Sequence, residues 1–291
     1  MIALATRGSA LARAQTELAI AALLARFPSE EFTAVVVDSD GDLSPASLAP
    51  DLPGQGWFTS RLELALRGGQ VDGAIHSAKD LPTEIGPDLL IAGFLNREDP
   101  RDALVSRQGG NLAELSPGAR VGTSSPRRSA QLLALRPDLL CDPIRGNVDT
   151  RIRKVRNGEF DACVVAMAGL IRLNRAHDGL ALDPQLECTP APAQGAIALQ
   201  ARVGSRFAEL AAAIDDRSTR DCVQAERRVL TEMGGGCQLP LGTLAEPLDR
   251  ERARLTVAWP AAPGDGVRRI TREGARAELG QLATAMAREL S

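Results

Sequence analysis

One pattern occurs twice in the chain, as RGGQVDGAIHSAKDL at residues 67–81 and as RNGEFDACVVAMAGL at residues 156–170. Each copy passes from the end of a helix through glycine to a hydrophobic–Asp–small step and then a strand. A second pair of segments, residues 4–15 and 121–132, shares a strand, a Thr-led turn and a helix. Strands that alternate with helices usually pair in parallel. The repeat therefore predicts two similar α/β domains that face each other across a cleft.

The segments around the repeat complete this division. Residues 38–56, DSDGDLSPASLAPDLPGQG, lack periodicity, and a loop this long is usually functional or mobile. A strand is predicted at residues 71–75, directly before HSAKDLP, and another, GAIALQAR, begins at residue 195. Residues 216–233 predict a long helix that ends at three glycines. The strands and the amphipathic helix that follow it indicate a small α+β domain.

The composition excludes several classes of function. The net charge is −3, and the aromatic residues are six Phe and two Trp with no Tyr, so nothing indicates a nucleic-acid partner. Five cysteines without a CxxC pair indicate a reducing compartment. The N-terminus lacks the pattern of an export signal, and the longest apolar stretch, residues 18–25, is too short to span a membrane. We expect a cytoplasmic protein without a membrane or nucleic-acid partner.

The strongest local sign of a ligand is GTSSPRR at residues 122–128. Ser125 fits the N-cap of a helix, and Pro126 fits its first position. Backbone N–H groups, hydroxyls and the guanidiniums of Arg127 and Arg128 then converge at the positive end of the helix dipole, which predicts an anion site. The alternative is a capped helix with two solvated arginines. Capping alone, however, does not explain cations at that end of a dipole.

A second cluster of cations is IRGNVDTRIRK at residues 144–154. Asn147 could cap a helix, with Arg145 just before it and Arg151 one turn inside. Taken alone, this segment is typical of a solvated charged face. Together with GTSSPRR in the same domain, it indicates a ligand with several carboxylates.

Asp80 and Cys237 are the candidates for chemistry. Asp80 follows a predicted strand, and α/β proteins bind ligands where strands end. A lone aspartate there is more often a cap or turn residue, and a Lys-Asp pair is more often a surface ion pair. Cys237 follows three glycines on a loop, where a thiol is accessible enough to act as a nucleophile. The two histidines, His76 and His177, cannot build a multi-histidine metal centre, so no metal site is predicted.

Taken together, these segments resemble the porphobilinogen deaminase (hydroxymethylbilane synthase) family. The resemblance covers residues 2–245 in the family's order and spacing, through ATRGSALARAQ, HSAKDLP, REDPRDALVS, VGTSSPRRSAQL, IRGNVDTR, AQGA and GGGCQLPLG. It implies an α/β fold with two domains similar to type II periplasmic binding proteins and a small α+β C-terminal domain. Domain 1 would comprise residues 1–95 and 196–214, domain 2 residues 96–195, and domain 3 residues 215–291.

The resemblance also implies a chemistry. The family holds a dipyrromethane cofactor, made from substrate, in thioether linkage to the cysteine that matches Cys237. Four porphobilinogen molecules are added one by one with loss of ammonia, and hydrolysis then frees hydroxymethylbilane. Asp80 matches the family's catalytic aspartate, which accepts the pyrrole N–H and stabilises the azafulvenium cation that forms as ammonia leaves.

The resemblance further implies a set of binding residues, because each pyrrole brings an acetate and a propionate that cationic side chains must bind. By motif position these residues are Arg7, Ser77, Lys79, Thr123, Ser124, Ser125, Arg127, Arg128, Arg145, Arg151, Arg172 and Gln194. The 38–56 loop would be a lid over the cleft, with Gln55 and Phe58 as lid residues. Gln55 stands where many relatives carry lysine, and Ala193 replaces a usual glycine. The family leans monomeric.

Two rival interpretations stay open. A non-catalytic anion-binding or sensor protein of the periplasmic-binding type would bind its ligand reversibly and would give Asp80 and Cys237 no role. A degenerate relative would catalyse another pyrrole condensation, which product analysis would reveal. The missing export signal argues against the first of them.

Overall fold

The computed structural model describes residues 1–37, 60–235, 239–260 and 266–290. In chain order the strands are β1 Ile2–Thr6, β2 Phe32–Val36, β3 Gly73–Ser77, β4 Leu89–Phe94, β5 Asp102–Ser106, β6 Arg120–Gly122, β7 Leu140–Asp142, β8 Ala162–Ala166, β9 Leu180–Ala181, β10 Ile197–Arg202, β11 Gly242–Pro247, β12 Arg252–Pro260 and β13 Val267–Ala275. The helices are α1 Ala10–Arg26, α2 Ser60–Arg67, α3 Pro126–Leu135, α4 Val148–Arg156, α5 Met167–Arg172, α6 Arg206–Ala212, α7 Arg217–Glu232 and α8 Leu279–Leu290.

These elements form two compact units, each with a five-stranded sheet whose strands have the same spatial order and direction. Unit 1 comprises Met1–Arg97 and Ala196–Arg220, and unit 2 comprises Glu98–Gly195 and Asp221–Ser291. The strand order is β2-β1-β3-β10-β4 in unit 1 and β7-β6-β8-β5-β9 in unit 2. β1 is parallel to β2 and β3, as β6 is to β7 and β8, whereas β10 and β5 run antiparallel to both neighbours. This correspondence confirms the repeat and the predicted α/β fold.

The aspartate of the repeated hydrophobic–Asp–small step has the same structural role in both copies. Asp72 Oδ2 accepts a hydrogen bond from the N–H of Ala3 in β1 (2.8 Å), and Asp161 Oδ2 accepts one from the N–H of Arg120 in β6 (2.9 Å). Each carboxylate thus binds a backbone N–H at the start of a central strand. The sequence repeat therefore preserves a contact that positions these strands.

Apolar side chains cover both faces of the unit 1 sheet. Leu4 and Ile75 pack with α1 and α6 on one face, and the alternate strand residues pack with α2 on the other. This period of two follows from the alternation of side chains along a strand. A Cβ built on Gly73 would lie 2.1 Å from Cε1 of Phe207 in α6, so only glycine fits at this position of β3. The packing fixes β3, which leads to Asp80.

Unit 2 also contains the three-stranded sheet β11-β12-β13, which is antiparallel throughout. Helices α7 and α8 pack on this sheet around Val229, Leu255 and Met286. The C-terminal tail therefore has the predicted α+β arrangement. The predicted division of the chain into three domains stays a prediction.

Ala193 adopts a left-handed backbone conformation (φ 62°), which costs a residue with a Cβ about 1–2 kcal/mol. Its side chain is buried, and its N–H donates to Glu226 Oε2 (2.6 Å), so this conformation is held in place. We expect Ala193→Gly to stabilise the fold by about 0.5 kcal/mol, because relief of strain outweighs the greater freedom of glycine in the unfolded chain. Thermal unfolding measures the change. The control is Ala196→Gly, at a buried residue without positive φ, which should lower the midpoint of thermal unfolding. A lower midpoint for Ala193→Gly would contradict backbone strain at Ala193.

Candidate active site

The turns that follow β1 and β3 lie at one edge of the unit 1 sheet, because these strands pair in parallel. Arg7 follows β1, and a 3₁₀ turn, Ala78–Asp80, follows β3. Arg7, Lys79 and Asp80 are all half-buried. The carboxyl ends of strands are where α/β proteins bind ligands. The fold therefore brings three predicted site residues to an edge suited to a ligand.

Hydrogen bonds from two other elements hold the turn that carries Asp80. Ser77 Oγ lies 2.9 and 3.1 Å from the side-chain amide atoms of Gln15, which is buried in α1. The N–H of Ala78 donates to the carbonyl oxygen of Ala196 (3.0 Å), just before β10. Gln15 is absent from the predicted site residues. Its sign in the sequence is a polar residue on the helix face that carries apolar residues one and two turns later.

The loops after β6 and β7 meet at the corresponding edge of the unit 2 sheet. Ser124 Oγ donates to the carbonyl oxygen of Ile144 (3.0 Å) and accepts from the N–H of the same residue (3.1 Å), which joins GTSSPRR to IRGNVDTRIRK. Ser125 and Asn147 cap α3 and α4, since their side chains accept from backbone N–H groups one turn inside (3.4 and 3.0 Å). Thr123 Oγ1 accepts from the N–H of Ser125 (3.2 Å). Both predicted caps are confirmed.

Arg127 and Arg128 are buried, and both bind the carboxylate of Asp102 at the start of β5. Arg127 Nη1 lies 2.6 Å from Asp102 Oδ2, Arg128 Nη2 lies 2.6 Å from Oδ1, and Asp102 is 0% exposed. Burial alone would raise the pKa of Asp102, but the two guanidiniums hold it far below its ordinary value. Gln194 Nε2 also donates to Asp102 Oδ1 (2.9 Å). The alternative interpretation of GTSSPRR, a capped helix with two solvated arginines, is therefore wrong.

The cations near Asp102 outnumber the carboxylates that pair with them. Arg151 Nε donates to the carbonyl oxygen of Gly146 (2.8 Å), and no carboxylate in the described ranges forms an ion pair with Arg151. Burial, and then the charge of Arg128, lower the pKa of Arg151. Arg127, Arg128 and Arg151 with the single Asp102 carboxylate therefore carry a net charge of about +2. An anionic ligand would relieve this excess.

Two further arginines predicted for the site have different surroundings. Arg145 is exposed on the loop before α4. Arg172, the last residue of α5, donates through Nη2 to the carbonyl oxygen of Gly195 (2.6 Å). Burial lowers the pKa of Arg172 despite the opposing charge of Glu98. A partly desolvated guanidinium is stabilised when an anion approaches it.

Comparison with known proteins identifies the family. A family model described as porphobilinogen deaminase, dipyromethane cofactor binding domain, matches residues 2–209. A second model, for the C-terminal domain of porphobilinogen deaminase, matches residues 221–290. The chain belongs to the porphobilinogen deaminase family. The family predicted from the sequence is confirmed.

Individual relatives of the porphobilinogen deaminase family match along the whole chain. Porphobilinogen deaminase of Mycobacterium marinum is 43% identical, and the alignment covers 100% of this chain and 94% of that protein. The porphobilinogen deaminase of Mycobacterium tuberculosis is 42% identical, and the alignment covers 100% of this chain and 96% of that protein. Among solved structures, a nutrient binding protein from Burkholderia cenocepacia bound to methionine covers 72% of this chain and 89% of its own at 12% identity and a TM-score of 0.45.

The residues of unit 2 fit the dipyrromethane cofactor of the porphobilinogen deaminase family. Its pyrroles carry acetate and propionate arms, so the group is an anion. The N-termini of α3 and α4 offer N–H groups and positive dipole ends near the net positive charge of Arg127, Arg128 and Arg151. Donors of this kind suit carboxylates better than neutral ligands.

Three predicted residues, Gln55, Phe58 and Cys237, lie outside the described residues, and their roles stay predictions. In the part of the chain that the structure describes, no group of three or more His, Cys, Asp or Glu side chains could hold a metal ion. None of the helices in that part is long and apolar enough to cross a membrane.

The other cysteines are poor candidates for the cofactor linkage of a porphobilinogen deaminase. Cys163, Cys188 and Cys222 are buried, and Cys141 is half-buried. Burial raises the pKa of Cys163 to about 11 and that of Cys188 to about 12. A thiol with so high a pKa carries almost no thiolate, the nucleophilic form, at neutral pH. Burial also raises the pKa of Cys141.

Proposed function

We propose that this chain condenses four porphobilinogen molecules on a dipyrromethane primer bound to Cys237, with release of ammonia, and then frees hydroxymethylbilane by hydrolysis. The observation that carries the proposal is the match of both porphobilinogen deaminase family models, in order, to residues 2–209 and 221–290. The reaction is that of a transferase of tetrapyrrole and haem biosynthesis. A non-catalytic anion-binding protein is not favoured, since it would give Asp80 and Cys237 no role.

In this proposal Asp80 accepts the pyrrole N–H of the bound substrate. Ammonia leaves as the pyrrole nitrogen supplies electrons, so the ring becomes cationic, and a fixed carboxylate stabilises that charge as it develops. The contact between Ser77 and Gln15 and the hydrogen bond from Ala78 to Ala196 support this role. They hold the turn in place before substrate binds, which lowers the cost of orienting the carboxylate.

Cationic and polar side chains bind the carboxylate arms of primer and substrate in this proposal. They are Arg7, Ser77, Lys79, Thr123, Ser124, Ser125, Arg127, Arg128, Arg145, Arg151, Arg172 and Gln194. Asp102 already binds Arg127 and Arg128, so these two contribute mainly through their excess positive charge. Arg145 and Arg151, which Asp102 does not bind, are suited to direct contacts.

The same proposal assigns residues 38–56, with Gln55 and Phe58, to a lid. It divides the chain into domain 1 at residues 1–95 and 196–214, domain 2 at 96–195 and domain 3 at 215–291. It takes the protein to be a cytoplasmic monomer without a nucleic-acid partner, in line with the net charge of −3. Light scattering that gave twice the mass of one chain would contradict the monomer.

Intact-mass spectrometry of the purified protein tests the proposed function. We expect added mass equal to a dipyrromethane, absent from Cys237→Ala and retained by the control Cys141→Ala. Turnover of porphobilinogen should occur only in proteins that carry the adduct. A wild-type protein of unmodified mass that binds anions reversibly and turns over no porphobilinogen would overturn the proposal in favour of the anion-binding alternative.

Arg151→Gln should weaken binding without weakening the fold. Loss of a charged hydrogen-bond donor to a carboxylate costs about 1.5–3 kcal/mol, so we expect KM for porphobilinogen, or the rate of primer assembly, to worsen about tenfold or more. The midpoint of thermal unfolding should change little, because loss of the hydrogen bond to Gly146 is offset by removal of a charge that the folded state disfavours, as its lowered pKa indicates. Arg153→Gln, at an exposed position of the same helix, is the matched control and should change neither property. A lower midpoint with unchanged KM would make Arg151 structural.

A further inference from the structure

Unit 1 contains a chain of three hydrogen-bonded side chains that the proposed mechanism does not use. His76 Nε2 lies 2.9 Å from Gln200 Oε1, and Gln200 Nε2 donates to Glu63 Oε1 (2.9 Å). His76 in β3 and Gln200 in β10 are buried. Glu63 in α2 also pairs with Arg67 (3.4 Å). The chain therefore links three elements of unit 1 directly before the turn that carries Asp80.

The chemistry of Glu63 fixes the direction of every hydrogen bond in this chain. A carboxylate paired with an arginine only accepts hydrogen bonds, so the atom of Gln200 that faces Glu63 must be the amide nitrogen. The amide oxygen of Gln200 then faces His76 and can only accept. The proton between His76 and Gln200 therefore resides on His76 Nε2.

The environment of His76 also fixes its charge. Burial, followed by the positive charge of Arg7, lowers the pKa of His76 to about 4, although the hydrogen bond to Gln200 opposes the shift. The groups that act on the ring are thus the cation of Arg7 and the neutral amide of Gln200. At neutral pH the ring is therefore neutral, with Nε2 protonated and Nδ1 unprotonated.

The hydrogen-bonded side chains of His76, Gln200 and Glu63 lie close to the turn that carries Asp80. His76 lies opposite Ala198, and Ala74 lies opposite Gln200, so the imidazole and the amide meet as a diagonal pair across β3 and β10. Residue 196, next to the start of β10, accepts the hydrogen bond from Ala78 that holds the turn. A side-chain link between β3 and β10 at this end therefore bears on where Asp80 lies.

We propose that Glu63 and Gln200 hold His76 as a neutral, Nε2-protonated imidazole, and that His76 is thereby a positioning residue for Asp80. Ser77 and Gln15 hold the end of β3 from one side of the sheet, and His76 and Gln200 hold it from the other. The neutral ring ties the strands together without adding a second cation beside Arg7. The effect on turnover rests on the proposed function, whereas the protonation state of His76 does not.

Nitrogen-15 NMR of the histidine rings tests the protonation state in the full-length protein. The chain has two histidines, so His177→Asn, which changes an exposed residue, leaves a single ring to observe. We expect one protonated nitrogen, Nε2, at neutral pH. In Glu63→Gln the new amide can donate or accept, so Gln200 can turn over and both neutral tautomers should appear. An imidazolium or an Nδ1-protonated ring in the wild-type protein, or an unchanged single tautomer in Glu63→Gln, would overturn the proposal.

Three replacements of His76 test the positioning role. Gln places an N–H donor near the site of Nε2, Asn places one near Nδ1, and Phe supplies none. We expect His76→Gln to keep kcat within about threefold, and His76→Asn and His76→Phe to lose about tenfold or more in kcat with little change in KM, as for a displaced catalytic group. His177→Gln is the control with unchanged kinetics. Equal rates for the Gln, Asn and Phe proteins would refute a role through Nε2.

The two levels of the proposal fail in different ways. A wild-type protein without turnover would remove the proposed function and leave the NMR result standing. Should the Asn and Phe replacements fail to fold, the tautomer of the wild-type and Glu63→Gln proteins still decides the hydrogen-bond chain, and His76→Gln still decides whether an Nε2 donor suffices for turnover.

Discussion

Asp80→Asn is expected to lose nearly all turnover of porphobilinogen while the cofactor stays attached. In the proposed mechanism, asparagine keeps the shape of the side chain but removes the negative charge that would stabilise the cation formed as ammonia leaves. Loss of one group that stabilises a developing charge typically costs about 10²–10³ in kcat. The rate of porphobilinogen consumption measures the loss, and the intact mass of the variant shows whether the adduct remains.

The matched control for Asp80 is Glu84→Gln, since Glu84 is an exposed carboxylate shortly after the same turn. This variant should react at the wild-type rate. Both variants should unfold at the wild-type midpoint, which separates loss of chemistry from loss of structure. An Asp80→Asn protein that reacts within a few-fold of wild type would mean that another group stabilises the cation.

Features that depend on neighbouring residues were predictable from the sequence. The caps at Ser125 and Asn147 need only a side chain and backbone N–H groups one turn away, so local pattern suffices. The repeat predicted two similar α/β domains because each strand–turn–helix unit folds under the same local rules. The family followed from several motifs in order, since each motif alone also suits an ordinary turn or helix start.

The strand before Asp80 shows where local pattern fails. The sequence predicted a strand at residues 71–75, but β3 comprises Gly73–Ser77. Asp72 binds the N–H of Ala3 with its carboxylate, and pairing with β1 begins only at Gly73. The strand is therefore shifted toward the turn, and His76 lies in the buried strand instead of on a loop. Period-two patterning cannot place the first paired residue, because that depends on a partner strand far away in the sequence.

Partners distant in the sequence were beyond prediction. Asp102 stands 25 residues before Arg127, and Gln15 stands 62 residues before Ser77. A single sequence does not show which polar residue contacts which distant partner. The available sign was a charged residue at the head of the apolar run DALVS, because a carboxylate that is fully buried is almost always paired.

Asp102→Asn is expected to destabilise the fold strongly. The variant leaves the guanidiniums of Arg127 and Arg128 buried beside a neutral amide, and removal of one partner from a buried ion pair typically costs about 3–5 kcal/mol. For a chain of this size the midpoint of thermal unfolding should fall by on the order of 10 °C. Circular dichroism during heating measures the change.

The comparison that isolates burial is Asp138→Asn. Asp138 pairs with Arg136 in the same unit at 2.7 Å, but its side chain is 38% exposed, and exposed pairs contribute about 0–1 kcal/mol.

The pH dependence of stability gives a second test of Asp102, because the pKa of this carboxyl is held far below its ordinary value. Its stabilisation is fully present above the unfolded-state pKa of about 4 and is lost only as pH falls through the lower folded-state pKa. The loss of stability in Asp102→Asn should therefore be the same at mildly acidic and neutral pH. A loss that vanished on mild acidification, or that was as small as in Asp138→Asn, would show that the Asp102 carboxylate does not neutralise the buried arginines.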